Sequence, residues 1–190
     1  GKPITISSHG VGGAGANLCF HELFRCGVRN VIRGGTCGAM VKGIKDGDFV
    51  IATGAIREDG ASEHMAPMSF PAVADRHIIR ALENAAVKYG YPSPHVGLVL
   101  TQGYFYPGIL PSEVEFWLPK GLVMCVEMEV ATLLVMASLA GARAGAILTS
   151  DGNLFEEEDP DAYNPHREVV EQGKKNMLKI ALQALADMPD

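Results

Sequence analysis

Apolar positions along this chain fall into two alternating patterns, short aliphatic or β-branched runs and longer stretches at helical spacing. "PITISS" (3–8) predicts a short strand. "GGAGANLCFHELFRCG" (12–27) places Leu18, Phe20, Leu23 and Phe24 at helical spacing and closes on Gly27 as a C-cap. A brief strand at 30–35 runs into a glycine turn, and a longer strand covers 47–58. An amphipathic helix over 74–91 ends near Gly90, and a strand covers 95–102. A short helix at 111–121 opens on Pro111. "LVMCVEM" (122–128) reads as a strand, 129–141 as a buried helix and 142–151 as an apolar strand ending at Asp151. A polar, acidic loop fills 152–166, and a terminal amphipathic helix spans 167–188. Strands alternating with helices predict an α/β protein with a central, parallel or mixed sheet.

Composition narrows the class. The 190 residues, 47% of them hydrophobic, suffice for one domain spanning 1–190 with a real core. A formal net charge of −6 argues against nucleic-acid or anionic-membrane binding in general, though not against a small anionic substrate. Four cysteines without CxxC or zinc spacing suggest reduced thiols, and a cytoplasmic location is expected. No run approaches the roughly 20 apolar residues of a membrane helix. The start, "GKPITISSHG", enters a strand at once without an initiator methionine, which suggests a chain lacking its first elements.

In α/β sheets, ligands bind beyond the carboxyl ends of strands, and the unusual residues gather there. "GVGGAG" (10–15) matches the dinucleotide pattern GxGxxG, yet no acid stands where the ribose partner is expected. Arg33 at the second strand's end would suit an adenosine 2′-phosphate, so an NADP-binding protein is one reading; glycines for close packing are another. "IRGGTCG" (32–38) combines a guanidinium, the Thr36 hydroxyl and freed backbone N–H groups, an anion nest. The loop at 59–75 is long enough to be functional. "GYFYPG" (103–108) offers Tyr104 or Phe105 as a stacking surface for a planar base. Glu127 and Glu129 sit in an apolar run, where an ionised carboxylate is costly unless paired. Either they favour a helix N-terminus or one of them waits for a ligand. Asp151, before a glycine, is a turn residue or a catalytic acid.

Together "SHGVGGAG", "RGGTCG", "REDGASEHMAPMSFPAVAD", "YFYPG", "VEMEVATL" and "TSDG" resemble, in order and spacing, the hexameric-type nucleoside phosphorylases, a family containing purine nucleoside phosphorylases and uridine phosphorylases. The resemblance implies a three-layer fold with a central mixed sheet flanked by helices. It also implies phosphorolysis of a nucleoside to free base and ribose 1-phosphate, with inorganic phosphate as co-substrate and no metal or organic cofactor. By that resemblance Arg33, Thr36 and Gly35 bind phosphate, Met128 and Glu129 bind ribose, and Asp151 is catalytic. Phe105, Glu127, Cys37, Gly38, Val11 and Leu18 surround the base. A homo-oligomer, dimer or trimer of dimers, is expected, with sites completed by the neighbouring subunit. The family's opening phosphate loop, and the segment that serves the neighbour's site, would precede Gly1.

For the base, the residues point both ways. The 59–75 segment is similar to uridine phosphorylases, but their Gln and Arg after "FYPG" are replaced here by Ile109 and Pro111. A site lacking its polar readers loses discrimination steeply. An Asp at 151 is the purine-type residue. The expected substrates are therefore purine nucleosides of the inosine or guanosine type in nucleoside salvage, with uridine as the alternative and a water-using nucleosidase more remote. Arg33 speaks against the nucleosidase.

Overall fold

The computed structural model describes residues 2–156 and 163–189. The sheet they form is built from six strands in the order β3-β2-β4-β5-β1-β6. These are β1 (Asn30–Ala39), β2 (Phe49–Glu58), β3 (Ala72–Val73), β4 (His95–Gln102), β5 (Cys125–Glu127) and β6 (Arg143–Asn153). β1 with β6, β2 with β4 and β4 with β5 run parallel; β1 with β5, β2 with β3 and β2 with β6 run antiparallel. The β2–β6 pairing joins the two ends, so β2, β4, β5, β1 and β6 close on themselves and only β3 is left as an edge.

Five helices cover this sheet: α1 (Gly12–Arg25), α2 (Arg76–Lys88), α3 (Glu113–Trp117), α4 (Val130–Leu139) and α5 (Glu168–Asp187). Strand alternation divides the core between them. Val50, Ala52, Ala146 and Leu148 pack with α4 and with Ala16 and Phe20 of α1. Phe49, Ile51 and Ile147 turn the other way, onto Ile78 and Leu82 of α2 and Met177 and Ile180 of α5. Helix α4 is buried on nearly every side, as its uniform apolarity requires. Asp75 caps α2 by accepting the N–H groups of His77 at 2.8 Å and Ile78 at 3.2 Å. Gly27 and Gly90 end α1 and α2 at φ of 89° and 88°, a conformation glycine adopts without strain.

The mixed α/β architecture matches the expectation, with several differences, among them a strand of only Cys125–Glu127 where 122–128 was expected and a short strand, Ala72–Val73, inside the expected loop. Residues 3–8 form no strand; they run exposed beside the body. With no strand before "GVGGAG", the dinucleotide reading loses the context it requires. β1 does not stop at 35 but continues through its glycines to Ala39, because β6 pairs with it along the whole length. Residues 35–38 are therefore strand paired to β6, not a turn. β6 likewise runs past Asp151 to Asn153. Last, Pro111 stands one residue before the cap Ser112, whose hydroxyl accepts the Val114 N–H at 3.2 Å. Residues 157–162 of the expected acidic loop lie outside the described residues.

The 59–75 loop owes its shape to Arg57, a residue that no local pattern singles out. Its guanidinium donates to the carbonyls of Ser62 at 2.6 Å, Ala66 at 2.8 Å, Pro67 at 2.7 Å and Phe70 at 2.5 Å, and to the Ser62 hydroxyl at 3.0 Å. Five donors in a fixed fork can gather that many acceptors. Asp59 fastens the same turn, accepting from the Ser62 N–H and hydroxyl and from Thr132 on α4.

Candidate active site

The two glutamates of "VEMEV" have different environments. Glu127 ends β5 at the foot of α4, a buried helix whose first amides would otherwise lack partners. It accepts the N–H of Glu129 at 2.7 Å and that of Val130 at 2.9 and 3.1 Å, as well as the Thr101 hydroxyl at 2.5 Å. Thr101 in turn accepts the Ala131 N–H at 2.9 Å. Both Glu127 oxygens are thus occupied by protein donors, which leaves the expected contact with a base no unused acceptor. Burial raises its pKa above the usual carboxylate value; Arg33, Thr101 and the Glu129 amide pull it back.

Glu129 faces across to α1 and β1. Its Oε1 accepts the Gly12 N–H at 2.6 Å, and Oε2 pairs with Nη2 of Arg33. Arg33, 7% exposed, also holds Nη1 at 3.4 Å from Glu127 Oε2. Its Nε and Nη1 make no hydrogen bond among the described residues. A buried guanidinium with two unused donors is costly unless something occupies them. Gly35 explains how the guanidinium fits, since a Cβ there would lie 2.7 Å from Arg33 Cζ. Met128 closes this group against α1, its Cε 3.9 Å from a Cβ built on Gly12.

On the other side of β1 lies a second group. Gly34 abuts Met177 of α5 whereas Gly35 abuts Arg33, so alternation puts Thr36 on the α5 side. Thr36 was expected beside Arg33; instead its hydroxyl lies close enough to Asp151 to act against the rise in that carboxyl's pKa. The ladder explains the meeting. Cys37 pairs with Ser150 and Gly38 with Gly152, so Asp151 is the extra residue of a β-bulge. Bulges re-aim a side chain out of the strand's alternation. Asp151 is 6% exposed and accepts the Tyr163 hydroxyl on Oδ2 at 3.0 Å. Burial raises its pKa; Tyr163, Thr36 and the charge of Lys174 act against that rise. Arg167 holds the backbone, donating to the Asp151 carbonyl at 2.9 Å while pairing with Asp46 at 2.5 Å.

Tyr163 also lies against Phe105, ring centroids 6.1 Å apart, and Phe105 meets Tyr106 at 5.0 Å. Phe105 is 58% exposed, an aromatic face open to a ligand. Cys37 is buried with its thiol toward Cys125, and Gly38 is covered by Leu154 and Val126. Val11 caps α1 beside the Gly12–Glu129 bond but is largely exposed; Leu18 projects from α1 into solvent. The structure therefore gathers Arg33, Gly35, Met128 and Glu129 in one group and Thr36, Asp151 and Phe105 in another, joined through β1. It leaves Leu18 apart. Thr101, Arg167 and Tyr163 belong to the site without a signal in the sequence, since each acts through a contact with another segment.

Comparison with known proteins identifies the class. The profile of the phosphorylase superfamily matches residues 1–186, and the chain belongs to that family. It is 38% identical over 197 residues to a uridine phosphorylase of Klebsiella aerogenes, covering 97% of this chain and 75% of the relative. It is 37% identical over 188 residues to a purine nucleoside phosphorylase of Plasmodium vivax, covering 98% and 75%. The solved purine nucleoside phosphorylase of Toxoplasma gondii in complex with immucillin-H superposes with a TM-score of 0.88 at 35% identity, over 95% of this chain and 72% of that one. The three-layer mixed α/β fold is shared with that neighbour. These relatives make the chain a nucleoside phosphorylase, a pentosyltransferase acting on a nucleoside and phosphate. Among the described residues no helix is long and apolar enough to cross a membrane.

Proposed function

We propose that this protein cleaves purine nucleosides of the inosine or guanosine type by phosphorolysis, in nucleoside salvage in the cytoplasm. The observation that carries the purine assignment is Asp151, a carboxyl aimed by a β-bulge, whose pKa burial drives toward the range of a general acid. The nucleoside spans the carboxyl end of β1, its base against Phe105 and its sugar toward Met128 and Glu129. As the C1′–N9 bond breaks, its electron pair passes to the purine, and Asp151 delivers a proton to N7. A phosphate oxygen forms the new bond to C1′. Phosphate lies beside Arg33, whose Nε and Nη1 donors and glycine cradle suit an anion. Glu129, with lone pairs beyond those used by Gly12 and Arg33, takes the ribose hydroxyls, and Met128 packs on the sugar. Copies of the chain assemble as a homo-oligomer, and neither metal nor organic cofactor takes part.

Uridine is the second reading, supported by the 38% identity to a uridine phosphorylase. Uracil has no counterpart of N7, so Asp151 separates the two. Initial rates on inosine, adenosine and uridine, with and without phosphate, are expected to show phosphate-dependent turnover fastest on a purine. Asp151→Ala should lower the inosine rate by about 10²–10⁴-fold. Uridine turnover far above inosine, with Asp151→Ala silent, overturns the purine assignment. Cleavage without phosphate would instead make the enzyme a hydrolase.

A further inference from the structure

We propose that Tyr163 is a positioning residue for Asp151, orienting its carboxyl and stabilising the carboxylate that remains once the proton has left. This rests on the assignment of Asp151 as the acid that protonates the purine. A bulged residue is released from the pleat that fixes its neighbours, so its direction must come from side-chain contacts. Tyr163, from the segment before α5, supplies one at 3.0 Å, with the Thr36 hydroxyl of β1 nearby. Tyr163 holds Oδ2. Its ring lies against Phe105, the aromatic face proposed for the purine, so one residue spaces the acid from the base. Arg167 fixes the peptide beneath, through the Asp151 carbonyl, Asp46 and the carbonyl of Asn164 at 3.0 Å, one residue beyond Tyr163.

The chemistry favours a phenol here. Before transfer Asp151 is a neutral acid; after it, a carboxylate with N7 protonated. A hydrogen bond to an ionised acceptor is stronger than one to its neutral form. The Tyr163 O–H bond therefore strengthens as the proton moves, lowering the barrier rather than only binding the ground state. Among the described residues, the groups around Asp151 are Thr36 on β1, Tyr163, Lys174 on α5, and Arg167 at its carbonyl. Removing the phenol hydroxyl takes away one donor that favours ionisation, so the Asp151 pKa rises.

The test is a double-mutant cycle of Tyr163→Phe and Asp151→Ala in the whole enzyme, read with inosine and phosphate across pH. Tyr163→Phe should lower kcat by about 10-fold or more, with the inosine KM little changed. It should also move the alkaline fall in kcat to higher pH. In the Asp151→Ala background the same change should matter less than about twofold, as expected of residues acting as a unit. Unchanged kcat and pH profile in Tyr163→Phe, with Asp151→Ala costly, overturns the Tyr163 role and leaves the acid standing. An equal loss in both backgrounds also overturns it, because Tyr163 would then act independently. If Asp151→Ala alone leaves inosine turnover intact, the acid assignment fails and the Tyr163 role falls with it.

Discussion

The guanidinium of Arg33 occupies the space in which a side chain at Gly35 would begin, with Cζ 2.7 Å from a Cβ built there. The two residues stand on one face of β1, and the glycine allows the arginine to lie flat against its own strand.

Gly35→Ala is expected to swing that guanidinium away from Glu129 and from the proposed anion site. The far end of a long side chain can move, so the fold should survive with a melting temperature a few degrees lower, at about 2–4 °C per kcal/mol for a chain of this size. The phosphate KM should rise by about 10-fold or more, as for loss of a charge-assisted hydrogen bond. Thermal melts and rates at varied phosphate check both; an unchanged phosphate KM would remove Gly35 and its cradle from the site.

Arg33→Met should cost more than Gly35→Ala. It leaves Glu127 and Glu129 buried without their cation, a loss of about 3–5 kcal/mol for a broken buried pair. Arg33 is also what chiefly holds the Glu127 pKa down against burial. In its absence that pKa climbs further, the native state binds a proton more tightly than the unfolded chain, and stability falls more steeply as pH rises above about 4.5. Denaturant midpoints at pH 5 and pH 8 should therefore diverge more in the variant than in the parent.

Glu127 is predicted to act through α4. Glu127→Ala strips acceptors from the Glu129 and Val130 amides and from Thr101, a loss of about 1–3 kcal/mol. Glu127→Gln keeps one acceptor oxygen and should lose less. With its pKa raised in the folded state, Glu127 contributes stability that is fully present below the unfolded value and lost as pH rises through the folded one. The Gln variant should therefore show a flatter stability profile above about pH 4.5 than the parent. Equal slopes in the two proteins would contradict a raised pKa at this position.

Glu129→Ala should weaken turnover of ribonucleosides through the lost ribose hydroxyl contacts, by about 10-fold or more. A 2′-deoxynucleoside lacks one of those hydroxyls and should lose less. Parallel kinetics with inosine and 2′-deoxyinosine decide it: equal, small losses on both would leave Glu129 as no more than the partner of Arg33 and Gly12.

The order and type of nearly every long element were legible in the chain, because hydrophobic spacing and helix ends such as Gly27 and Gly90 act locally. The sequence also marked Arg33, Glu129 and Asp151, since charges in apolar runs need a reason to be there. Tertiary structure decided the rest. Residues 3–8 have strand composition but no strand partner, and a strand exists only when another backbone satisfies its amides. β1 and β6 run beyond their expected ends because they pair with each other, a fact about two segments more than a hundred residues apart. That same pairing skips Asp151, turning an apparent strand end into a bulge that meets Thr36 and Tyr163. Glu127 and Glu129, two residues apart and identical in side chain, became a helix cap and an arginine partner only once α4, α1 and β1 were packed around them. Composition carries the cost of burying a charge; which donors offset that cost is set by long-range contacts, and these carry no local signature.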